Sequence, residues 1–246
     1  MSLQVQSILQ TTPGSLKIKF AQAYATPPVV LLTSYWKGST AAVSGILTVT
    51  NVTTTDCTIT SINAASNYYV NMLAIDTNVP AIGTLKANSG SPAKTGNDLE
   101  VNYNNVLTSP DPVVLLTPFW NGSSQQVGYV DTLDDSAASE CSIVSKNQAP
   151  SNFFINFAAM DLGITTTDNN QTLQNGIVNK LGTTQRVYFT KPFANPPIVM
   201  ISPWWNDANQ GVGLVETVTM VTNTYFEITS GNMAPNYFVN WVAVGN

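Results

Sequence analysis

Apolar residues in this chain fall in short runs and in alternation, never on a helical stripe. Pro28-Val29-Val30-Leu31-Leu32 is a continuous apolar, β-branched run behind the turn signal Thr26-Pro27-Pro28. Val43 to Thr50 forms a second run, and similar runs begin at Val127 and Val212. Cys57 to Ile62 alternates with period two, as does Phe226-Glu227-Ile228-Thr229. No segment carries a helical period with caps. The pattern predicts an all-β chain of many short strands with turns between them.

The same pattern is written three times. Pro28-Val29-Val30-Leu31-Leu32-Thr33-Ser34-Tyr35-Trp36 returns as Pro112-Val113-Val114-Leu115-Leu116-Thr117-Pro118-Phe119-Trp120. It returns again as Pro197-Ile198-Val199-Met200-Ile201-Ser202-Pro203-Trp204-Trp205. The last Trp steps by 84 and then 85 residues. A second anchor, Asn67-Tyr68-Tyr69-Val70-Asn71, recurs at Asn152 to Asn156 and at Asn236 to Asn240, stepping by 85 and then 84. Two anchors with one period define a triplication, and a repeat decides the architecture. The expected fold is three tandem antiparallel β-sandwiches of about six strands each, over residues 1–78, 79–163 and 164–246, arranged as an intramolecular pseudo-trimer. Residues 77–98 and 162–184 are rich in Gly, Ser, Pro and Asn and read as extended arms between copies.

Composition narrows the function classes. Charged residues are 9% of the chain, against about 25% in ordinary globular proteins, while 43% are hydrophobic. The net charge is −5 and Arg186 is the only Arg, so no basic cluster exists to replace phosphate counterions. Nucleic acid and anionic membrane surfaces are therefore poor partners. No apolar stretch approaches a membrane span, and Met1-Ser2-Leu3-Gln4-Val5-Gln6 has no basic n-region, which predicts a cytoplasmic protein or release by a route without a signal peptide. Cys57 and Cys141 hold equivalent positions in two copies, with Phe226 in the third, and should be free buried thiols. There is no His, no metal-ligand cluster and no phosphate-cradling Gly loop, so a non-enzyme without cofactor or metal is expected. The acidic group Asp131, Asp134, Asp135 and Glu140 occurs in one copy only and reads as a solvated loop.

The run Ile18-Lys19-Phe20, Tyr24, Pro27-Pro28-Val29-Val30-Leu31-Leu32 resembles the opening of the H-type lectin domain, the snail agglutinin family. The third copy is similar to it through Val187-Tyr188-Phe189, Phe193, Pro196-Pro197-Ile198-Val199, Phe226 and Trp241-Val242-Ala243. The second is looser, with Tyr103, Leu107 and Pro110-Asp111-Pro112. The resemblance implies six-stranded sandwiches joined as a trimer, with galactose or N-acetylgalactosamine held in clefts between neighbours. A chain with three copies would keep its sites together for multivalent capture of glycans. The family's middle-strand Arg falls at Ser44, Gly128 and Gly213 here, and its loop His has no counterpart, so its sugar-binding set does not transfer.

A neutral sugar calls for an aromatic face beside directional amides and carboxylates. Trp36, Trp120 and Trp205 each end a strand before a polar loop, which supplies Asn121, Asn206 and Asp207. The loop before the closing strand supplies Asn63, Asn147 and Asn232, followed by Asn67, Asn152 and Asn236. These twelve are the candidate carbohydrate-binding residues, with glycans or glycoconjugates as partners and a monomer or face-to-face pair as the expected assembly. The rival class is a structural or attachment module, such as a phage tail or fibre head.

Overall fold

The computed structural model describes residues 3–149 and 151–246, and every regular element among them is a β-strand. The first copy supplies β1 (Leu3–Leu9), β2 (Gly14–Lys19), β3 (Val29–Trp36), β4 (Thr48–Val52), β5 (Asp56–Ser61) and β6 (Tyr68–Ile75). The second supplies β7 (Ala81–Ile82), β8 (Leu85–Gly90), β9 (Asp98–Asn102), β10 (Val113–Trp120), β11 (Thr132–Ser136), β12 (Glu140–Val144) and β13 (Phe153–Met160). The third supplies β14 (Ile164–Thr166), β15 (Thr172–Asn179), β16 (Thr184–Tyr188), β17 (Ile198–Trp205), β18 (Thr217–Val221), β19 (Tyr225–Thr229) and β20 (Tyr237–Gly245).

These strands form three mixed sheets, and each sheet draws on two copies. The six-stranded sheet runs β1-β6-β3-β18-β19-β16, joining copies one and three. The seven-stranded sheets run β2-β5-β4-β10-β13-β8-β7 and β14-β15-β20-β17-β11-β12-β9. Within a copy the pairs are antiparallel. At each junction the pair is parallel and short: Tyr35 opposite Val218, Phe119 opposite Val49, and Trp204 opposite Leu133. Each copy thus shares one sheet with each of the other two.

The continuous apolar runs now have a physical reason, because these central strands are buried on both faces. Val30 and Leu32 of β3 point into a cluster with Ile18, Val49, Cys57, Ile59, Val70 and Met72, drawn from both sheets that the first copy enters. Val29 and Leu31, one residue out of phase, point into a central cluster with Val113, Leu115, Met200 and Val242 from the other copies. The second and third copies have their own clusters, around Ile143 and Ile155 and around Phe226 and Val239. Cys57 and Cys141 are free and buried in different clusters, and burial pushes both thiols up to about 12.

A ring of hydroxyls ties the three central strands. Thr33 Oγ1 accepts from Ile201 N (2.9 Å), Thr117 Oγ1 from Leu32 N (2.8 Å), and Ser202 Oγ from Leu116 N (2.8 Å).

The expected arms are not arms. Residues 85–90 and 172–179 are strands β8 and β15, paired with β13 and β20 of their own copies as β1 pairs with β6. The misleading glycines answer a steric demand. Gly90 lies opposite Phe157 and Gly176 opposite Trp241, and a Cβ there would stand 2.8 and 2.9 Å from the facing ring. Copy one has the smaller Met72 in that place and tolerates Gln6 across from it.

Candidate functional site

The three recurring Trp residues end the central strands and are half-buried, each packed edge-on against the first aromatic of the closing strand. Trp36 meets Tyr68 at 6.4 Å, Trp120 meets Phe153 at 6.3 Å, and Trp205 meets Tyr237 at 6.0 Å. Trp36 Nε1 donates to Asn67 Oδ1 (3.0 Å) and Trp205 Nε1 to Asn236 Oδ1 (3.2 Å). The same amides turn back on the Trp loops: Asn67 donates to Lys37 O, Asn152 to Asn121 O, and Asn236 to Asn206 O. Asn121 and Asn206 therefore meet this series through their backbone.

Asn63, Asn147 and Asn232 brace a second loop. Asn63 Nδ2 donates to Gly45 O (2.6 Å), Asn147 Nδ2 to Tyr129 O (2.6 Å), and Asn232 Nδ2 to Leu214 O (2.7 Å). Each copy thus brings its Trp loop together with Asn67, Asn152 or Asn236, while Asn63, Asn147 and Asn232 hold residues outside the candidate set, and the amides are largely spent on loop backbone.

A β-bulge in each copy links these loops across the seams. The register shifts between Val49 and Asn51, between Leu133 and Asp135, and between Val218 and Met220. The skipped residue turns its carbonyl outward. Thr50 O accepts from Gly122 N, Asp134 O from Asp207 N, and Thr219 O from Gly38 N. Gly38, Gly122 and Asp207 share a left-handed backbone, with φ of 74°, 75° and 54°. Asp207 thus takes a conformation its counterparts leave to Gly, one that a short polar side chain tolerates. Asp134 also accepts from Asn209 N (2.8 Å), pinning the third copy's loop onto the second copy.

That loop borders a cleft of about 470 Å³ at the seam between copies two and three. Asn97, Asp98, Tyr129 and Lys146 line it from the second copy, and Asn209 and Gln210 from the third. Tyr129 is 52% exposed, and Lys146 Nζ stands 5.8 Å from its ring centroid. A smaller groove of about 180 Å³ shares Tyr129 and Lys146 and adds Trp120 and Asn147. Of the twelve candidates, these two border the continuous surface around Tyr129. Sequence reasoning did not single out Tyr129, Asn97, Asp98, Lys146, Asn209 or Gln210. Their signal is a departure from the repeat: Gly45 and Leu214 stand where Tyr129 does, and Ile62 and Gly231 where Lys146 does.

The acidic group of the second copy is not one solvated loop. Asp131 is 4% exposed, accepting from Ser145 Oγ and Asn147 Nδ2, while Asp135 and Glu140 are exposed. Burial pushes Asp131 up to about 6, against the Ser145 hydrogen bond and the attraction of Lys94. Lys94 is itself fully buried, donating to Gly96 O, Ser145 O and Asn147 O, and burial lowers its pKa. The third copy repeats the arrangement with Lys180 and Glu216, 4.0 Å apart. Each buried lysine has its carboxylate at hand, which marks a structural pair.

Comparison with protein-family models, curated proteins and solved structures finds no match for this chain.

Proposed function

We propose that the chain is a carbohydrate-binding protein: a pseudo-trimer of three H-type-lectin-like sandwiches that takes its ligand at a seam between copies. The observation that carries this reading is the cleft between copies two and three. Its volume, about 470 Å³, lies in the range of small-molecule sites. It offers an exposed aromatic face at Tyr129 beside the amides of Asn97, Asn209 and Gln210 and the carboxylate of Asp98. An apolar ring face for C–H groups, beside amides that donate and accept and a carboxylate that accepts, is what a neutral polyhydroxylated ligand requires. The shared sheets and the hydroxyl ring support the pseudo-trimer.

Saturation-transfer NMR with galactose, N-acetylgalactosamine and glucose tests the reading. Transfer to one sugar, abolished by Tyr129→Ala in a folded protein, is expected. No transfer to any of the three, nor to oligosaccharides ending in them, would refute it. A structural or attachment module is the second reading, and one observation favours it. The recurrent Trp and Asn residues pack on core rings and brace loops, as an assembly scaffold would need.

A further inference from the structure

The seam between copies one and two contains a side chain where the open cleft has none. Gln126 reaches from the second copy into the first, donating from Nε2 to Ile46 O (2.8 Å) and accepting at Oε1 from Ile62 N (3.0 Å). One planar carboxamide thereby satisfies a backbone carbonyl and a backbone N–H together.

The same place can be located in the other seams without ambiguity. Val127 N donates to Thr48 Oγ1, Val212 N to Thr132 Oγ1, and Val43 N to Thr217 Oγ1, each at 3.0 Å. These bonds fix the preceding residue, which is Gln126 in one seam, Gly211 in the next and Ala42 in the third. At the second seam the partners of the missing carboxamide are Val130 O, which takes only a long bond from Thr132 Oγ1 (3.4 Å), and the Lys146 N–H. Val130, Lys146 and Gly211 all line the 470 Å³ cleft. A Cβ on Gly211 would stand 3.2 Å from Val130 O, so a side chain here would enter the space that Gln126 fills next door. In the third seam Ala42 is too short to reach, and Leu214 lies over Gly231, where a Cβ would be 2.7 Å from Leu214 Cδ1. The three seams are therefore plugged by the chain, open, and covered by an apolar residue.

We propose that the cleft between copies two and three binds a ligand through a carboxamide, whose carbonyl takes the Lys146 N–H and whose N–H meets Val130 O, reproducing the contact Gln126 makes at the first seam. Tyr129 and the Asn97, Asp98 and Asn209 side chains hold the remainder of the ligand. Two kinds of small ligand offer an amide carbonyl and N–H: a peptide with a Gln or Asn side chain, whose primary carboxamide is the group Gln126 presents, and an acetamido sugar, whose secondary amide presents its carbonyl and its one N–H on opposite edges. The inference deepens the carbohydrate reading only in the second case, since the carboxamide site itself rests on Gln126.

The test is backbone-amide NMR of the full chain, titrated separately with N-acetylglucosamine, glucose and the tripeptide Gly-Gln-Gly. Shifts at Lys146 and Gly211 are expected with an amide-bearing probe and not with glucose. Gly211→Gln should plug the cleft and weaken that binding at least tenfold. Its fold is checked by its melting temperature, and Tyr129→Ala, which leaves the clamp backbone intact, should weaken binding independently. Gln126→Ala should open the first seam and bring the Ile62 amide into the response. Binding of the peptide alone keeps the carboxamide site and removes the sugar reading. Equal binding of glucose and N-acetylglucosamine keeps the sugar reading and overturns the carboxamide. No shift at Lys146 with either amide probe, or unchanged binding in folded Gly211→Gln, overturns the proposal.

Discussion

Lys180 and Glu216 face each other in the third copy with side chains 0% and 2% exposed, where the first copy has Gln10 and Leu47. The molecule thus contains its own uncharged version of the pair. Lys180 also donates to Ser230 O and Asn232 O, and Glu216 accepts from Ser230, Asn232 and Tyr237. Removing one partner leaves the other charge buried, which costs about 3–5 kcal/mol. Lys180→Met should lose that much in chemical denaturation. The double change Lys180→Gln with Glu216→Leu, which installs the copy-one pair, should recover part of it, the remainder being the Tyr237 hydroxyl, which loses Glu216 where Tyr68 keeps Ser34. Additive losses in the double variant would contradict this.

Asp131 makes stability depend on pH. Burial raises its folded pKa to about 6, above the ordinary unfolded carboxyl value of about 4, with Lys94 the cation facing it. The folded state therefore binds the proton more tightly. Its contribution is fully present below about pH 4 and is lost as pH rises through about 6, up to roughly 3 kcal/mol in all. Denaturation midpoints across this window should fall for the native chain relative to Asp131→Asn. Parallel curves for the two proteins would refute the assignment.

The glycine–aromatic contacts predict a size exchange. Gly176→Ala places a methyl 2.9 Å from the Trp241 indole, and overpacking of this kind costs about 1–3 kcal/mol. Adding Trp241→Met, the residue type at Met72 in copy one, should relieve the added strain. Gly90→Ala with Phe157→Met should behave alike. Melting temperatures of the single and double variants decide it, and no rescue in either pair would count against the contact.

Asn240 stands apart from its counterparts. Asn71 Nδ2 donates to Val199 O and its Oδ1 accepts from Ser7; Asn156 donates to Val30 O and accepts from Ser91. Asn240 is fully buried and neither side-chain polar atom finds a partner: Ile177 replaces the serine that donates to Oδ1 in the other copies, and Nδ2 meets no carbonyl as its counterparts do. Asn240→Leu should be neutral or stabilising, while Asn71→Leu strands Val199 O and should cost about 1–3 kcal/mol. Equal losses in both, by denaturant titration, would contradict the difference.

What was legible in the chain follows from what recurs. Val29 to Leu32 and their equivalents repeat because every copy buries the same two strand faces, so strand positions and the triplication could be read directly. β8 and β15 were hidden because Gly90 and Gly176 answer rings distant in sequence, and a run of small polar residues carries no trace of that demand. The open cleft was hidden for the opposite reason. Searching for residues that recur finds Trp36, Trp120 and Trp205 and the Asn series, which brace loops in every copy. Tyr129, Lys146 and Gly211 matter because they differ from their counterparts, and only the pairing of seams shows that Gln126 and Gly211 occupy one place.

The most direct measurement is a glycan array probed with the labelled, folded chain beside its Tyr129→Ala variant. Retention of a defined set of terminal sugars, weakened about tenfold or more in the variant, is the result expected of a sugar held against that ring. A blank array, or a set of glycans unchanged by Tyr129→Ala, would contradict carbohydrate binding at this seam.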